Sequence, residues 1–267
     1  MNIFSRKKKI LKLHLNGEIT SNTSKFGGDN SVQKLKSELL EVKQTNKENY
    51  KGILLKINSP GGTAATSEEL AKLVFSLRQK VPVVTSIGDS ACSGAYMIAA
   101  ASNYIFANTL SWTGSIGVIM MLPNLQELSK KLGVAFKTIK AGKMKDLGNP
   151  YREMTPEEEL YLENLVKAAH EEFINFIKLT RPNAKNLDEL ADGRILDART
   201  ALENNLIDKL GTEDDALNFL ITEILHCNEK DFTITDTTPK PGLLKRILDM
   251  NSPITIKFEL PNDFKRF

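Results

Sequence analysis

The chain has 267 residues, is 41% apolar and carries a formal net charge of +3. This size and apolar content suit one large domain with a sizeable core, and the near balance of charge argues against binding of nucleic acid through a basic surface. Its two cysteines, Cys92 and Cys227, are too few for a disulfide framework and lack the spacing of a metal site. We expect a reducing compartment, no metal and no cofactor.

The chain opens with a short basic run at residues 6–9. No apolar run reaches the 18 or so residues of a membrane span, and no signal-peptide core follows the basic start. We therefore expect a cytoplasmic protein without a transmembrane segment. Contact with a membrane would be peripheral and weak, through the basic opening and anionic lipid head groups.

Apolar periodicity predicts an alternation of strands and helices along the chain. In chain order the predicted elements are strand 10–15, loop 20–31, helix 32–48, strand 52–57, helix 67–77, strand 81–87, an alanine-rich helix after Ser93, strands 104–107 and 116–121, helix 125–132, strand 134–139, helix 155–179, and short helices at 187–191, 198–204 and 214–225. The alternation within strand 10–15 points His14 to solvent. Repeated strand-then-helix order indicates an α/β fold with parallel strands and helical crossovers.

Composition divides the chain into three segments. Residues 1–9 form a basic N-terminal segment, residues 10–229 form the α/β domain, and residues 230–267 form a C-terminal tail with two prolines and no clear core pattern. We expect the tail to be peripheral and to serve as an arm onto a neighbouring subunit.

Ser93 stands between a strand-like run and a helix-like run, with Gly94 directly after it. Backbone N–H groups at such a junction have no internal partner and can face a developing oxyanion, so Ser93 is a candidate nucleophile. The alternative is a serine that only caps a buried helix. The stretch by itself favours the capping explanation.

A second loop, Asn58-Ser59-Pro60-Gly61-Gly62, follows the preceding strand. Consecutive glycines let the backbone approach a ligand closely, although an ordinary tight turn has the same composition. Adjacent parallel strands bring their following loops to one edge of the sheet, where the two loops could offer two backbone donors to one oxygen.

The chain has only three histidines and no G-x-S-x-G elbow, so lysine is the remaining candidate for the base that activates Ser93. Lysines 140, 143 and 145 follow the predicted strand 134–139. A lysine acts as a base at neutral pH only when burial and a neutral hydrogen-bond partner favour its uncharged form. Asp146 works against this unless its side chain points away, and composition alone favours surface lysines. Ser115 is either a packed hydroxyl or the neutral partner of such a lysine.

Four motifs in order and spacing resemble the signal peptide peptidase SppA family of S49 serine peptidases, in its short, single-repeat form. They are Asn58-Ser59-Pro60-Gly61-Gly62, Cys92-Ser93-Gly94-Ala95-Tyr96, Thr113-Gly114-Ser115-Ile116-Gly117-Val118, and Lys145-Asp146 followed by Arg152-Glu153-Met154-Thr155. The resemblance covers residues 10 to 225 and implies a ClpP/crotonase-like α/β superhelix of repeated β-β-α units.

The resemblance also implies the roles of five residues. Ser93 matches the nucleophile, Lys145 the general base, Ser115 the hydroxyl that holds the base, and Gly62 and Gly94 the oxyanion-hole region. It further implies peptide substrates that are extended and largely apolar, such as signal-peptide remnants or unfolded segments. The family assembles its sites in closed homo-oligomers, so Lys145 could serve the Ser93 of a neighbouring subunit.

This chain departs from the family in two ways: Ala95 stands where a second glycine is usual, and no N-terminal membrane anchor precedes the domain. Two alternatives to a peptidase stay open. A crotonase-type acyl-CoA enzyme would use the same pair of backbone donors without needing Ser93 and Lys145, and a non-catalytic scaffold would keep only the fold and the oligomer.

Overall fold

The computed structural model describes residues 7–21 and 31–238. The elements in chain order are β1 (Lys8–Asn16), α1 (Ser31–Gln44), β2 (Tyr50–Ser59), α2 (Ala64–Leu77), β3 (Val83–Cys92), α3 (Gly94–Ala100), β4 (Tyr104–Ala107), β5 (Trp112–Gly114), α4 (Gln126–Lys131), α5 (Pro156–Thr180), α6 (Leu187–Leu190), β6 (Ile195–Asp197), α7 (Ala198–Glu203), β7 (Lys209–Leu210), α8 (Glu213–Phe219), a π-helical turn (Leu220–Ile224), a 3-10 turn (Glu229–Asp231) and β8 (Phe232–Asp236).

The strands form one sheet in the order β6-β5-β3-β2-β1-β8, with β4 and β7 attached beside β3. Every pair is parallel except β5 with β6. Strand β3 is shared along its length, because β4 pairs with Val84–Ile87 and β5 pairs with Ser90–Cys92. Helices between parallel strands confirm the predicted α/β class.

The sheet buries apolar side chains on both faces, as parallel sheets do. One face of β1 carries Leu11, Leu13 and Leu15 into a large core that includes residues of α1, α2, α3 and α5. The opposite face packs under α8 and the π-helical turn in a smaller core. The smaller core consists of Ile10, Leu54, Val84, Phe106, Ala216, Leu220, Ile221 and Phe232.

Two predicted strands do not form within the described chain. Residues 116–121 and 134–139 have no regular secondary structure, and the strand of that region is the earlier β5. Their apolar residues have no strand partner, and most of them are exposed: Ile119 and Ile139 are 83% and 89% exposed, whereas Ile116 is fully buried in the main core. An apolar run predicts burial, and beyond Ile116 and the half-buried Val118 these runs are not buried by the rest of the described chain.

Strand β8 changes two further expectations. It pairs in parallel with β1 from Lys8 to Lys12, so the sheet continues past the predicted domain end at residue 229. His14 does not point to free solvent, because its Nε2 lies 2.7 Å from Asp236 Oδ1 and its side chain is mostly covered. Three predicted segments lie partly outside the described residues: the terminal segment 1–9 for residues 1–6, the loop 20–31 for residues 22–30, and the tail 230–267 for residues 239–267.

Candidate active site

Ser93 is the single residue between the end of β3 at Cys92 and the start of α3 at Gly94. Its backbone has φ 53° and ψ −127°, a conformation that L-residues rarely adopt and that costs on the order of 1–3 kcal/mol. Two backbone hydrogen bonds hold it there: its N–H donates to Gly114 O at 2.8 Å, and its carbonyl accepts from Met97 N–H at 3.0 Å. The fold thus fixes a half-buried serine in a strained geometry at the end of a strand.

The Ser93 side chain does not cap α3, although the residue stands at the cap position. Its hydroxyl makes no hydrogen bond to any residue between 7 and 21 or between 31 and 238. The capping explanation requires a side-chain bond to a free helix N–H, and that bond is missing. The hydroxyl is left available for other chemistry.

The glycine loop after β2 lies directly against Ser93. A Cβ added to Gly61, whose φ is +106°, would stand 2.8 Å from the Ser93 Cβ and 3.1 Å from Gly94 N. A Cβ added to Gly94 would stand 3.8 Å from Gly62 N. The structure therefore brings together Gly62, Ser93 and Gly94, as predicted for loops that follow adjacent parallel strands.

Backbone hydrogen bonds fix the position of the glycine loop. Ile19 N–H donates to Gly61 O and Thr63 N–H donates to Ile19 O, both at 2.8 Å. Within the described ranges, the amides of Gly62 and Gly94 donate no hydrogen bond. Two unused donors on fixed backbone can stabilise negative charge on an oxygen between them.

Ser115 follows β5 and also has a positive φ, of 50°. Its N–H donates to Arg194 O at 2.8 Å, which ties this turn to the segment before β6. The hydroxyl is half-buried, and none of the residues in the described part of the chain bonds to it. The backbone of Ser115 is therefore fixed while its side chain is available.

Lys145 lies in a turn at 143–148 rather than at the end of a strand. Its N–H donates to Gly142 O at 3.2 Å, its side chain is exposed, and the ammonium has no hydrogen bond or ion pair to the described residues. In one copy of the chain, no hydrogen bond joins Lys145 to Ser93 or to Ser115. The structure brings Gly62, Ser93 and Gly94 together, and Ser115 directly follows Gly114, whose carbonyl accepts from Ser93 N–H. Of the five predicted site residues, Lys145 is the one that no hydrogen bond in the described residues connects to this cluster.

Asp146, the neighbour of Lys145, is bound by Arg152. The Arg152 Nε donates to Asp146 Oδ2 at 2.9 Å, and Nη2 donates to Oδ1 at 3.0 Å and to the Asp146 carbonyl at 3.2 Å. Lys140 adds an ion pair to Oδ1. These cations hold the pKa of the Asp146 carboxyl far below its usual range. The extended backbone that would have turned Asp146 away from Lys145 is absent; two cations compensate its charge instead.

Arg152 also binds Glu158 in the first turn of α5. Nη1 donates to Oε2 at 2.8 Å and Nη2 to Oε1 at 2.6 Å, while Thr155 N–H donates to Oε2 at 3.0 Å. These bonds lower the pKa of Glu158 to about 2, Arg152 being the largest cause. Thr155 and Glu158 form a capping box at the start of α5. The sequence displayed Arg152 within a motif, but nothing local to it indicated a bridge between two carboxylates.

The thiol of Cys92, directly before Ser93, is buried. Burial raises the pKa of Cys92, so at neutral pH it stays a protonated, apolar neighbour. Both cysteines are free thiols. No cluster of metal-binding side chains occurs within residues 7–21 and 31–238, and no helix there is long and apolar enough to cross a membrane.

Comparisons with known proteins agree with these motifs. The model of peptidase family S49 matches residues 76–223. A Synechocystis sp. protein named "Putative protease" is 36% identical over 251 residues, which are 94% of this chain and 86% of the relative. The "Putative signal peptide peptidase SppA" of Enterococcus faecium is 36% identical over 86% of this chain and 66% of its own length.

One solved structure shows the fold. The 1510-N membrane-bound stomatin-specific protease, a lysine-to-alanine mutant in complex with a substrate peptide, has a TM-score of 0.52 over 91% of this chain and 97% of that chain, at 15% identity. The similarity confirms the predicted ClpP/crotonase-like α/β fold. The family match over residues 76–223 and the identity to the Synechocystis relative show that this chain belongs to peptidase family S49, the family of the SppA signal peptide peptidases.

Proposed function

We propose that the chain is a serine endopeptidase in which Ser93 and Lys145 form a catalytic dyad. The observation that carries the proposal is the strained, uncapped Ser93 between two free amides. Strained backbone persists only where the surrounding structure enforces it, and it is concentrated at active sites. A serine that only capped the start of a helix would need neither a strained backbone nor a glycine loop packed against it.

The reaction has two steps. The Ser93 Oγ attacks the carbonyl carbon of the scissile peptide bond while Lys145 takes the hydroxyl proton, and the amides of Gly62 and Gly94 bind the oxyanion. Lys145 then gives that proton to the leaving amine as the C–N bond breaks, which leaves an ester on Ser93. Lys145 next takes a proton from water, the hydroxide attacks the ester, and the proton returns to Ser93 as the acid is released.

The active unit is a closed homo-oligomer in which Lys145 of one copy serves Ser93 of the next. In the single copy, Lys145 is exposed and has no contact with Ser93 within the described residues, whereas a base must be desolvated and close to the nucleophile. A second copy would supply both conditions. The hydroxyl of Ser115 would then form a hydrogen bond with the Lys145 amine and, as a neutral partner, favour its uncharged form.

A group of exposed apolar side chains surrounds Lys145 in sequence and supports this assembly. We call it the apolar flank, and it consists of Ile119, Met120, Met121, Leu122, Leu128, Leu132, Val134, Phe136, Ile139, Tyr151, Met154, Leu160, Tyr161 and Leu165. Large apolar side chains that stay exposed in one stretch of the chain are typical of residues that a protein interface covers. The apolar flank is exposed, it includes residues of the two segments that were predicted as strands, and it adjoins Lys145 in sequence. A second copy of the chain is the occupant that accounts for all three features.

The substrates are extended, largely apolar peptides, such as signal-peptide remnants or unfolded segments. This assignment is supported by the names of the relatives, one of which is called a signal peptide peptidase, and by the peptide bound to the 1510-N protease. We place the activity in the cytoplasm, where the two free thiols of Cys92 and Cys227 would remain reduced.

The proposal is tested by comparing the rate at which the wild type and three variants hydrolyse an unfolded apolar polypeptide. Ser93→Ala should abolish cleavage, and Lys145→Ala should lower its rate by about 10²–10⁴-fold, the usual contribution of a general base. Lys143→Ala is the matched control, since Lys143 lies in the same turn and its ammonium pairs at the surface with Glu157, its one ion-pair partner among the described residues. A fully active Ser93→Ala protein, or equal losses from the two lysine variants, would contradict the dyad.

A further inference from the structure

The turn that carries Lys145 has little structure of its own. Its backbone bonds are local, from Lys145 to Gly142 at 3.2 Å and from Leu147 to Met144 at 3.1 Å. Most of its side chains are exposed or half-buried. Such a turn cannot by itself keep a catalytic group in place, because precise geometry depends on supporting contacts to rigid elements.

Arg152 connects this turn to a rigid element. The 25-residue helix α5 is held in the main core by Phe173, Phe176 and Ile177 near its C-terminal end. Arg152 binds the backbone carbonyl and both carboxylate oxygens of Asp146 on one side and both oxygens of Glu158 in α5 on the other. It therefore fixes the residue directly after Lys145 to the start of α5.

The geometry uses the whole guanidinium group. Besides its bonds to the two carboxylates, Arg152 Nη1 donates to the Glu153 carbonyl at 2.9 Å, so all three nitrogens are engaged. The side chains of Asp146 and Glu158 are 11% and 5% exposed, so both carboxylates are largely removed from water. A lysine would offer one point charge and could not form these paired bonds.

Arg152 also balances the negative charge around the Lys145 turn. Around the turn, the negative groups are Asp146 from the turn itself and Glu157 and Glu158 from α5, and the positive groups are Lys140, Lys143 and Arg152. Lys143 neutralises Glu157, so Arg152 and Lys140 remain for Asp146 and Glu158. Without Arg152, two largely buried carboxylates would share one lysine, and one of them adjoins the base.

We propose that Arg152 is a positioning residue for catalysis: it anchors the Lys145 turn to α5 and compensates the Asp146 charge, so that Lys145 can work as an uncharged base. The inference rests on the proposed dyad and adds a residue that contacts neither substrate nor nucleophile. It also explains how a carboxylate next to the base is tolerated.

The pH dependence of kcat/KM for peptide cleavage separates positioning by charge from a merely structural role. An uncompensated carboxylate favours the charged form of a nearby lysine, so Arg152→Gln should move the acid limb to higher pH by about one unit. Adding Asp146→Asn should return the limb to its wild-type position. Arg152→Lys keeps a charge but loses the paired bonds, so it should lower kcat and leave the limb nearly in place.

Lys143→Gln is the control, because it breaks an exposed pair between the same turn and the same helix and should not move the limb. If Arg152→Gln does not fold, Asp146→Asn alone decides: the limb should move to lower pH, since a negative charge beside the base is removed. An unmoved limb in Asp146→Asn, or in a folded Arg152→Gln, overturns the inference. If Ser93→Ala and Lys145→Ala lose activity in the same assay while the limb stays fixed, only the Arg152 inference fails; if those two variants stay active, the dyad itself fails.

Discussion

At the scale of single residues, the site depends on glycines that admit no side chain. A Cβ added to Gly94 would lie 2.1 Å from the Ser67 hydroxyl oxygen and 2.7 Å from the Ser67 Cβ, a position that atoms cannot share. Helix α2 approaches the start of α3 this closely only because residue 94 has no side chain. Ala95, where the family usually has a second glycine, is fully buried, so the core accommodates the extra methyl group at this position.

We therefore predict that Gly94→Ala lowers the free energy of unfolding by about 1–3 kcal/mol, as overpacking does, and lowers peptidase activity. Ser67→Gly in the same protein should recover part of the lost stability, because it removes both atoms in the way. Gly88→Ala is the control, since its added Cβ would meet only ordinary contacts from 3.4 Å. Urea unfolding measures all three; an unchanged midpoint for Gly94→Ala would show that the two helices separate easily.

The two thiols should differ in reactivity. Cys92 is buried and its pKa is raised, whereas Cys227 is half-exposed. Because the thiolate is the reactive form, iodoacetamide at neutral pH should modify Cys227 in the native protein and Cys92 only after denaturation. Mass spectrometry of the alkylated peptides measures this. Rapid native labelling of Cys92 would mean that the β3–α3 junction opens.

At the scale of elements, the start of α5 is stabilised by a carboxylate whose charge matters. The pKa of Glu158 is about 2 in the folded protein against an ordinary value of 4.5. A group with a depressed pKa contributes stability that is fully present above its unfolded pKa and is lost as pH falls through the folded pKa. The loss from Glu158 thus lies between about pH 4.5 and pH 2.

In Glu158→Gln, the free energy of unfolding should be lower at pH 7 and should fall less steeply from pH 4.5 toward pH 2 than in the wild type. Glu159→Gln, which changes the next residue, should keep the wild-type slope, because the Glu159 carboxylate has no hydrogen bond or ion pair in the described chain. Urea titrations across this pH range measure the slopes. Parallel slopes for Glu158→Gln and wild type would mean that the Arg152 bridge does not form in solution.

The elements also show how far the sequence could predict this structure. Strand and helix order was predictable for β1 to β4 and for α5, because each has a periodic apolar face and a turn or cap at its ends. The Gly62, Ser93 and Gly94 cluster followed from two glycine-containing loops after adjacent parallel strands. The positive φ of Ser93 was not predictable, since it is imposed by the Gly114 hydrogen bond and by the glycine loop.

Two errors have a common physical cause. Residues 116–121 and 134–139 have the composition of buried strands, but a local pattern does not show whether a distant segment pairs with them. The alternation along β1 places His14 opposite the buried leucines and so predicts that it faces solvent, but strand β8, more than 200 residues later, covers it. The roles of all five site residues remain predictions, and no hydrogen bond within the described part of one chain joins Lys145 to Ser93.

At the scale of the whole molecule, the proposed assembly predicts that activity and association are lost together. Ile139→Glu places a charge on the apolar flank and should give monomers in sedimentation and no peptidase activity, without lowering monomer stability, because Ile139 is exposed in the single copy. Leu179→Glu changes an exposed leucine at the other end of α5 and is the control. A monomeric wild type that cleaves peptides would contradict the assembly.

Sharing of sites between copies makes a further prediction. Ser93→Ala and Lys145→Ala proteins, each inactive alone, should regain part of the activity when they are unfolded and refolded together. A Lys145 from the first variant can then serve a Ser93 from the second. Mixtures that assemble but stay inactive would show that both residues of a dyad come from one copy.

The nucleophile is the central claim, and covalent labelling tests it most directly. After reaction with a serine-directed acylating probe, the intact mass should rise by one probe per chain, and peptide mapping should locate the probe on Ser93. Ser93→Ala should gain no mass, and Lys145→Ala should react far more slowly than Lys143→Ala. A probe found on another serine, or equal labelling of the wild type and Ser93→Ala, would contradict the account.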